Sequence, residues 1–162
     1  MIMKLDELDK QILRLLAQNG RLPSSEIART VEASERTVTN RVNSLIESGV
    51  ISIIGVINEE QFGYEVTADI YCQVDTTRQE EIAQAIAALP EVRYAAISFG
   101  EYDVVGQLVS HSPATLHQFI AQKLAKIPGV QRVTTVIIPV ILKDIQEWLP
   151  PELIASSRED NA

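Results

Sequence analysis

Three side chains suited to reading nucleobase edges, Arg36, Asn40 and Asn43, recur along one short stretch of the chain. Arg pairs in two-pronged fashion with guanine and Asn with adenine, each pair discriminating against a wrong base by roughly 1–3 kcal/mol. At ~100° per residue these three, with Glu47, fall within roughly 40° of the direction opposite Val38, Val42, Leu45 and Ile46. Thr37, Thr39, Arg41 and Ser44 flank the row. Hydroxyls at Ser34, Thr37 and Thr39 suit phosphate oxygens, as do the backbone N–H groups of a helix start. The candidate DNA contacts are therefore Ser34, Arg36, Thr37, Thr39, Asn40, Arg41 and Asn43.

A solvated helix face could carry the same residues, so the elements around the row decide. Ser34 can cap a helix that runs to Ser48, and Gly49 can supply a left-handed terminating residue. Before it, Ser24 to Val31 reads as a shorter helix with Ile27, Ala28 and Val31 inward, joined by a turn at Glu32 and Ala33. A first helix runs from Glu7 to Gln18, capped by Asp6 with Asp9 three positions on, and Leu8, Ile12, Leu15 and Leu16 form its stripe. Asn19 and Gly20 stop it, and Pro23 leads into Ser24. Three helices with this spacing describe a helix-turn-helix whose last helix enters the major groove of duplex DNA. The β-branched run Val50 to Ile57 is expected to form a strand or wing.

Charge limits how such a module can bind. The 162 residues hold 14 Lys plus Arg against 22 Asp plus Glu, a net charge of −8. Residues 1–55 carry equal numbers of basic and acidic side chains, so the excess negative charge lies beyond them. Affinity for duplex DNA rests largely on phosphate neutralisation, so one neutral module binds weakly and several must act together. A homo-oligomer, at least a two-fold dimer reading paired half-sites, follows.

A second domain is entered through the polar stretch 58–65, which contains Gly63. Leu89-Pro90-Glu91-Val92 and Ile127-Pro128-Gly129-Val130 each close an amphipathic helix and open a strand, as if one βαβ unit were used twice. Val66, Ala68, Ile70, Cys72 and Val74 alternate on a strand. A helix from Arg78 to Leu89 turns Ile82, Ala85, Ile86 and Leu89 inward, and Val92 to Phe99 is the next strand. Gly100 and Glu101 connect it to a strand over Tyr102 to Val109. Ser112 and Pro113 start a helix burying Leu116, Phe119, Ile120, Leu124 and Ile127, and Val130 to Ile138 is the last strand. The order βαββαβ is ferredoxin-like, with one sheet face left for another molecule to cover. The fold class is α+β, with boundaries at 1–57, 58–65, 66–149 and a tail over 150–162. Trp148 and Leu149 are candidates to cover an interface, Pro150 and Pro151 to stop regular structure, and Ser156 to Ala162 to form a polar mobile end.

The run Leu5-Asp6-Glu7-Leu8-Asp9, then Ser34-Glu35-Arg36-Thr37-Val38-Thr39-Asn40-Arg41-Val42, then Leu45-Ile46-Glu47-Ser48-Gly49-Val50-Ile51, resembles the N-terminal domain of the leucine-responsive and asparagine-regulator (Lrp/AsnC) family. The second half resembles its effector-binding and oligomerisation (RAM) domain, and the resemblance extends to about Leu149. It implies dimers formed by sheet-on-sheet contact, their assembly into rings, typically octamers, and an amino-acid-like effector bound between dimers. Gly100, Glu101, Tyr102 and Asp103 correspond to the effector loop, and Thr135 beside Thr134 to a later effector position. Backbone N–H groups at a glycine turn can approach a ligand carboxylate, Asp103 can accept from an ammonium group, and Tyr102 can form a wall. A hairpin turn and ordinary strand residues are the alternative readings of the same positions.

Other chemistry finds little support. Cys72 is the sole cysteine and falls on an apolar strand face, and His111 and His117 lack companions at metal-binding spacing. Phosphate-binding glycine loops and paired-cysteine zinc patterns are absent from the sequence, so no cofactor or metal is expected. Met1 to Asp6 lacks a hydrophobic signal region and Val136 to Leu142 is too short to span a bilayer, which makes the expected location cytoplasmic. The leading expectation is a transcriptional regulator, not an enzyme. A siroheme-decarboxylase-like enzyme on the same scaffold and a ligand sensor without DNA binding are the competing readings.

Overall fold

The computed structural model describes residues 4–143 and 148–154. The chain divides into two compact units, residues 57–142 and, around them, residues 1–56 with 143–162. In the first unit α1 spans Glu7–Gln18, α2 Ser24–Thr30 and α3 Glu35–Glu47. Asp6 caps α1 in a reciprocal capping box with Asp9. Ile12, Leu13, Leu16, Ile27, Ala28, Val38 and Leu45 form its buried core.

The turn between α2 and α3 is built on Glu32, which holds a left-handed φ of 52°. Ala33 N–H reaches back to Ala28 O at 3.0 Å, satisfying a carbonyl that the helix end leaves without a donor. Ser24 begins α2 without capping it, because Pro23 occupies the cap position and no side-chain cap bond forms. Gly49 ends α3 with φ 71°, whereas Ile46 on the expected apolar stripe is 42 % exposed.

Two sequence expectations change here. Val50 to Ile57 pairs with no strand among the described residues and runs as irregular chain with Ile54, Val56 and Ile57 exposed. β-Branched residues favour strands only where a partner supplies the ladder. Pro151, expected to stop regular structure, instead opens a short helix, α6 (Pro151–Ile154), since proline is tolerated in a first turn. Residues 156–162 of the expected mobile tail lie outside the described residues.

The second unit is a four-stranded antiparallel sheet in the order β2-β3-β1-β4, with β1 Val66–Val74, β2 Val92–Ile97, β3 Val104–Ser110 and β4 Val130–Ile138. Helices α4 (Gln79–Ala87) and α5 (Pro113–Gln122) are the crossovers. Ile70, Cys72, Val104 and Leu108 meet Ile82, Ala83, Ile86, Leu116 and Phe119 in one core. Ala83, not the expected Ala85, faces inward on α4. On the other sheet face Gln107 Nε2 donates to Asp69 Oδ1 at 2.8 Å across the β1–β3 pair, and Arg93 donates to Gln107 and to Glu59. Gly129 follows the second Pro of the repeat with φ 100°, and a Cβ there would lie 2.5 Å from Ile82 Cδ1.

Candidate nucleic-acid interface and effector loop

Burial of Val38 and Leu45 fixes the rotation of α3 about its own axis. That rotation leaves Arg36, Thr39, Asn40 and Asn43 exposed, with no hydrogen-bond or ion-pair partner among the described residues. Their donors and acceptors are thus free for an external partner. Ser34 Oγ accepts from Thr37 N–H at 3.1 Å and lies 2.7 Å from Thr37 Oγ1, so both hydroxyls sit at the exposed start of the same helix.

Arg41 behaves differently. Its Nη1 lies 2.9 Å from Asp6 Oδ2 and 3.1 Å from Asp9 Oδ1, and the Asp9 side chain is only 2 % exposed. The two carboxylates, Asp9 foremost, raise the guanidinium further above its already high range. Asp6 is held below the usual carboxylate range by the Asp9 N–H first and by Arg41 as well. Arg41 therefore fastens α3 to the capped end of α1, which revises its place among the expected DNA contacts. Sequence alone had no means of pairing residues 32 positions apart. Of the other cations, Lys10 pairs with Glu7 and Arg14 donates to the carbonyls of Glu152 and Leu153. Arg29 stands 4.0 Å from Glu26. Lys4, Arg21 and Arg36 have no carboxylate partner among the described residues.

In the second unit, residues 98–103 form a loop stapled to the end of β1. Asp103 N–H donates to Cys72 O at 2.9 Å, and Asp103 Oδ2 accepts from Val74 N–H at 2.8 Å, where the β1–β4 register shifts. Gln79 Nε2 donates to the carbonyls of Asp103 and Ser98, at 2.8 and 3.3 Å. Ser98 Oγ donates to Tyr102 O and Gln73 Nε2 to Glu101 O. One Asp103 oxygen is thus engaged in holding the strand end, and the other has no hydrogen-bond partner among the described residues. Gly100 and Glu101 are exposed, and Phe99 beside them is 96 % exposed.

Tyr102 packs against Tyr71, with ring centroids 5.3 Å apart, and Thr134 is the β4 partner of Tyr71. Thr135 pairs with buried Ile70, so it faces the helix side of the sheet. Tyr102 and Thr134 thus share the face of Tyr71, and Thr135 lies on the other. Tyr71, Gln73 and Gln79 are absent from the sequence-based site. The alternation Thr67, Asp69, Tyr71, Gln73 opposite the apolar face of β1 was the signal that could have placed the first two.

The remaining candidates have structural neighbours. Cys72 is buried, and burial pushes its thiol up to about 11. The ring of His111 stacks on Tyr64 at 4.2 Å, with Nδ1 2.7 Å from Gly63 O. Among the described residues no helix is long and apolar enough to cross a membrane.

Residues 5–52 match the winged helix-turn-helix DNA-binding family, and residues 67–147 match the Lrp/AsnC ligand binding domain. An HTH-type transcriptional regulator of Pyrococcus abyssi is 37 % identical over 146 residues, covering 90 % of each chain. The HTH-type transcriptional regulator FL11 of Pyrococcus horikoshii is 32 % identical over 144 residues, covering 88 % of this chain and 95 % of the relative. Among solved structures, AsnC of E. coli superposes with a TM-score of 0.81 at 24 % identity, over 89 % of this chain and 99 % of that one. A transcriptional regulator of Neisseria meningitidis in complex with L-Met gives a TM-score of 0.85 at 23 % identity, over 93 % of this chain and 99 % of that one.

Proposed function

The chain belongs to the Lrp/AsnC family of DNA-binding transcriptional regulators, and from that premise we propose that it reads a specific operator with Arg36, Asn40 and Asn43 under the control of an amino-acid-like effector. The observation that carries this reading is the row of unpartnered polar side chains on α3, set directly opposite its buried stripe. Ser34, Thr37, Thr39 and the first N–H groups of α3 would take phosphates. Because few cations of the module are uncommitted, binding depends on several modules engaged together in a homo-oligomer, a dimer or a larger ring. A DNA partner places the protein in the cytoplasm.

Effector capture is assigned to the loop Gly100 to Asp103 with Tyr71 and Thr134, and an α-amino acid is the ligand class. The L-Met complex of the Neisseria regulator supports that class. Within the loop the free oxygen of Asp103 would accept from the ammonium group, and backbone N–H groups near Gly100 would meet the carboxylate. By linkage, such a ligand alters operator affinity only by its difference in affinity for the assemblies or module spacings that compete.

Mobility-shift titration against duplexes selected from random DNA tests the reading face. Arg36→Ala, Asn40→Ala and Asn43→Ala should each cost roughly 1–3 kcal/mol of discrimination, with sedimentation unchanged. Retained discrimination in all three would overturn the assignment. Calorimetry with a panel of the twenty amino acids tests the loop, and heat from none of them would remove the effector class.

A further inference from the structure

Hydrogen bonding in the loop between β2 and β3 is one-sided. The carbonyls of Ser98 and Asp103 accept from Gln79 Nε2, that of Glu101 from Gln73 Nε2 and that of Tyr102 from Ser98 Oγ. The N–H groups of Phe99, Gly100, Glu101 and Tyr102, by contrast, have no partner among the described residues. Four consecutive donors are thus left for solvent or a ligand.

A trans peptide group is planar, with its C=O and the following N–H on opposite sides. Holding the Ser98 carbonyl therefore turns the Phe99 N–H away from Gln79, and holding the Glu101 carbonyl turns the Tyr102 N–H away from Gln73. Both neighbours of the Gln79 amide are carbonyl oxygens, so only its NH2 group fits there, one hydrogen for each. Gln79 is also firmly based. It is the first residue of α4, whose Ile82, Ala83 and Ile86 are buried in the core, and Gln73 stands on β1, an inner strand of the sheet.

Resting on the effector reading given above, we infer that Gln79 and Gln73 are positioning residues for effector capture. They grip two peptide groups of the loop by their carbonyls and so hold the free N–H groups ready for the carboxylate of an α-amino acid. A neutral amide suits the task, because Lys or Arg would bind the same carbonyls but bring a charge that competes for the carboxylate. A loop restrained before the ligand arrives loses less conformational freedom on binding, and affinity gains by that difference. Neither glutamine needs to touch the ligand.

The test reads the ligand's carboxylate by difference. The best-bound of the twenty standard amino acids and its α-carboxamide are titrated by calorimetry into the full-length parent, Gln79→Met and Gln73→Ala. The parent should prefer the acid by roughly tenfold or more, the worth of one charge-assisted hydrogen bond, and both variants should lose most of that preference. A purely structural residue would weaken acid and amide alike and leave their ratio unchanged. A variant that keeps the parent's ratio removes that residue from the role, and both keeping it, or a parent without preference, overturns the inference. Should Gln79→Met fail to fold, Gln73→Ala decides alone, since its bond to Glu101 lies at the exposed surface. A second readout needs no ligand. In protein carrying isotope-labelled glycine, the Gly100 amide resonance should shift or broaden in Gln79→Met while that of Gly49 at the end of α3 stays in place. An unmoved Gly100 resonance means that Gln79 does not restrain the loop. A parent that binds none of the twenty refutes the effector reading and the capture role with it, while the Gly100 resonance still decides the restraint.

Discussion

Asp103 and Arg41 illustrate how a polar residue in a functional stretch can be committed to the scaffold. Asp103 Oδ2 satisfies the Val74 N–H at a register shift, so removing the carboxylate strands a partly buried donor. Asp103→Ala should cost the 57–142 unit roughly 1–3 kcal/mol in denaturant titration, whereas Asp103→Asn, which keeps an acceptor, should cost less. Loss of effector heat in the Asn variant with stability retained would separate ligand contact from scaffolding. Arg41→Ala should lower the melting temperature of the helix-turn-helix, because the Asp9 carboxylate is left inside without its cation. The pH dependence has a definite sign. Asp6 is held below the usual carboxylate range by the Asp9 N–H and Arg41, so the folded unit binds fewer protons there than the unfolded chain. Stability from this pairing is present above the usual carboxylate range and is lost as pH falls through the depressed value. Melting curves of the parent should fall on that acid limb, and those of Arg41→Ala should fall less steeply. Base discrimination by the Arg41→Ala variant, measured where it remains folded, should match the parent.

The α2–α3 turn and the second Pro-containing repeat make opposite demands on their residues. Glu32 occupies a left-handed conformation that costs a side chain roughly 1–2 kcal/mol, so Glu32→Gly should be neutral to stabilising by up to about 1 kcal/mol in thermal melts. Gly129→Ala should destabilise by roughly 1–3 kcal/mol, since both its φ and the contact with Ile82 Cδ1 oppose a Cβ. Caps and periodicity made these elements legible: α1 is found over Glu7–Gln18, β1 over Val66–Val74 and β4 over Val130–Ile138, each as the pattern predicts. Local chemistry sets those boundaries. What escaped the sequence depends on distant partners. The run Val50 to Ile57 has strand composition without a ladder, α6 exists through contacts with α1 139 residues away, and the Asp6–Asp9–Arg41 cluster joins two helices. The face of Thr134 and Thr135 was readable only once register with β1 was known.

For the whole molecule the decisive quantity is charge. Of the seven cations in residues 1–56, Lys10, Arg14 and Arg41 are committed to carboxylates or carbonyls, which leaves Lys4, Arg21 and the weakly held Arg29 for phosphates and Arg36 for a base. About six phosphate contacts from a dimer give a slope of log affinity against log salt near about −5. A titration between low and moderate salt should return that value, and a slope twice as steep would mean that other cations, or more protomers, touch the backbone. Arg21→Ala should flatten the slope by about one per half-site engaged without changing base preference. The interrupted course of the first unit also bears on biosynthesis. When the helix-turn-helix emerges from the ribosome its last piece has yet to be translated, so α1 waits through the synthesis of the entire sheet domain before Leu153 arrives. A message truncated after β4 would thus yield a polypeptide whose Arg14 lacks the carbonyls of Glu152 and Leu153 and whose helix-turn-helix core lacks the cover of the Leu153 side chain.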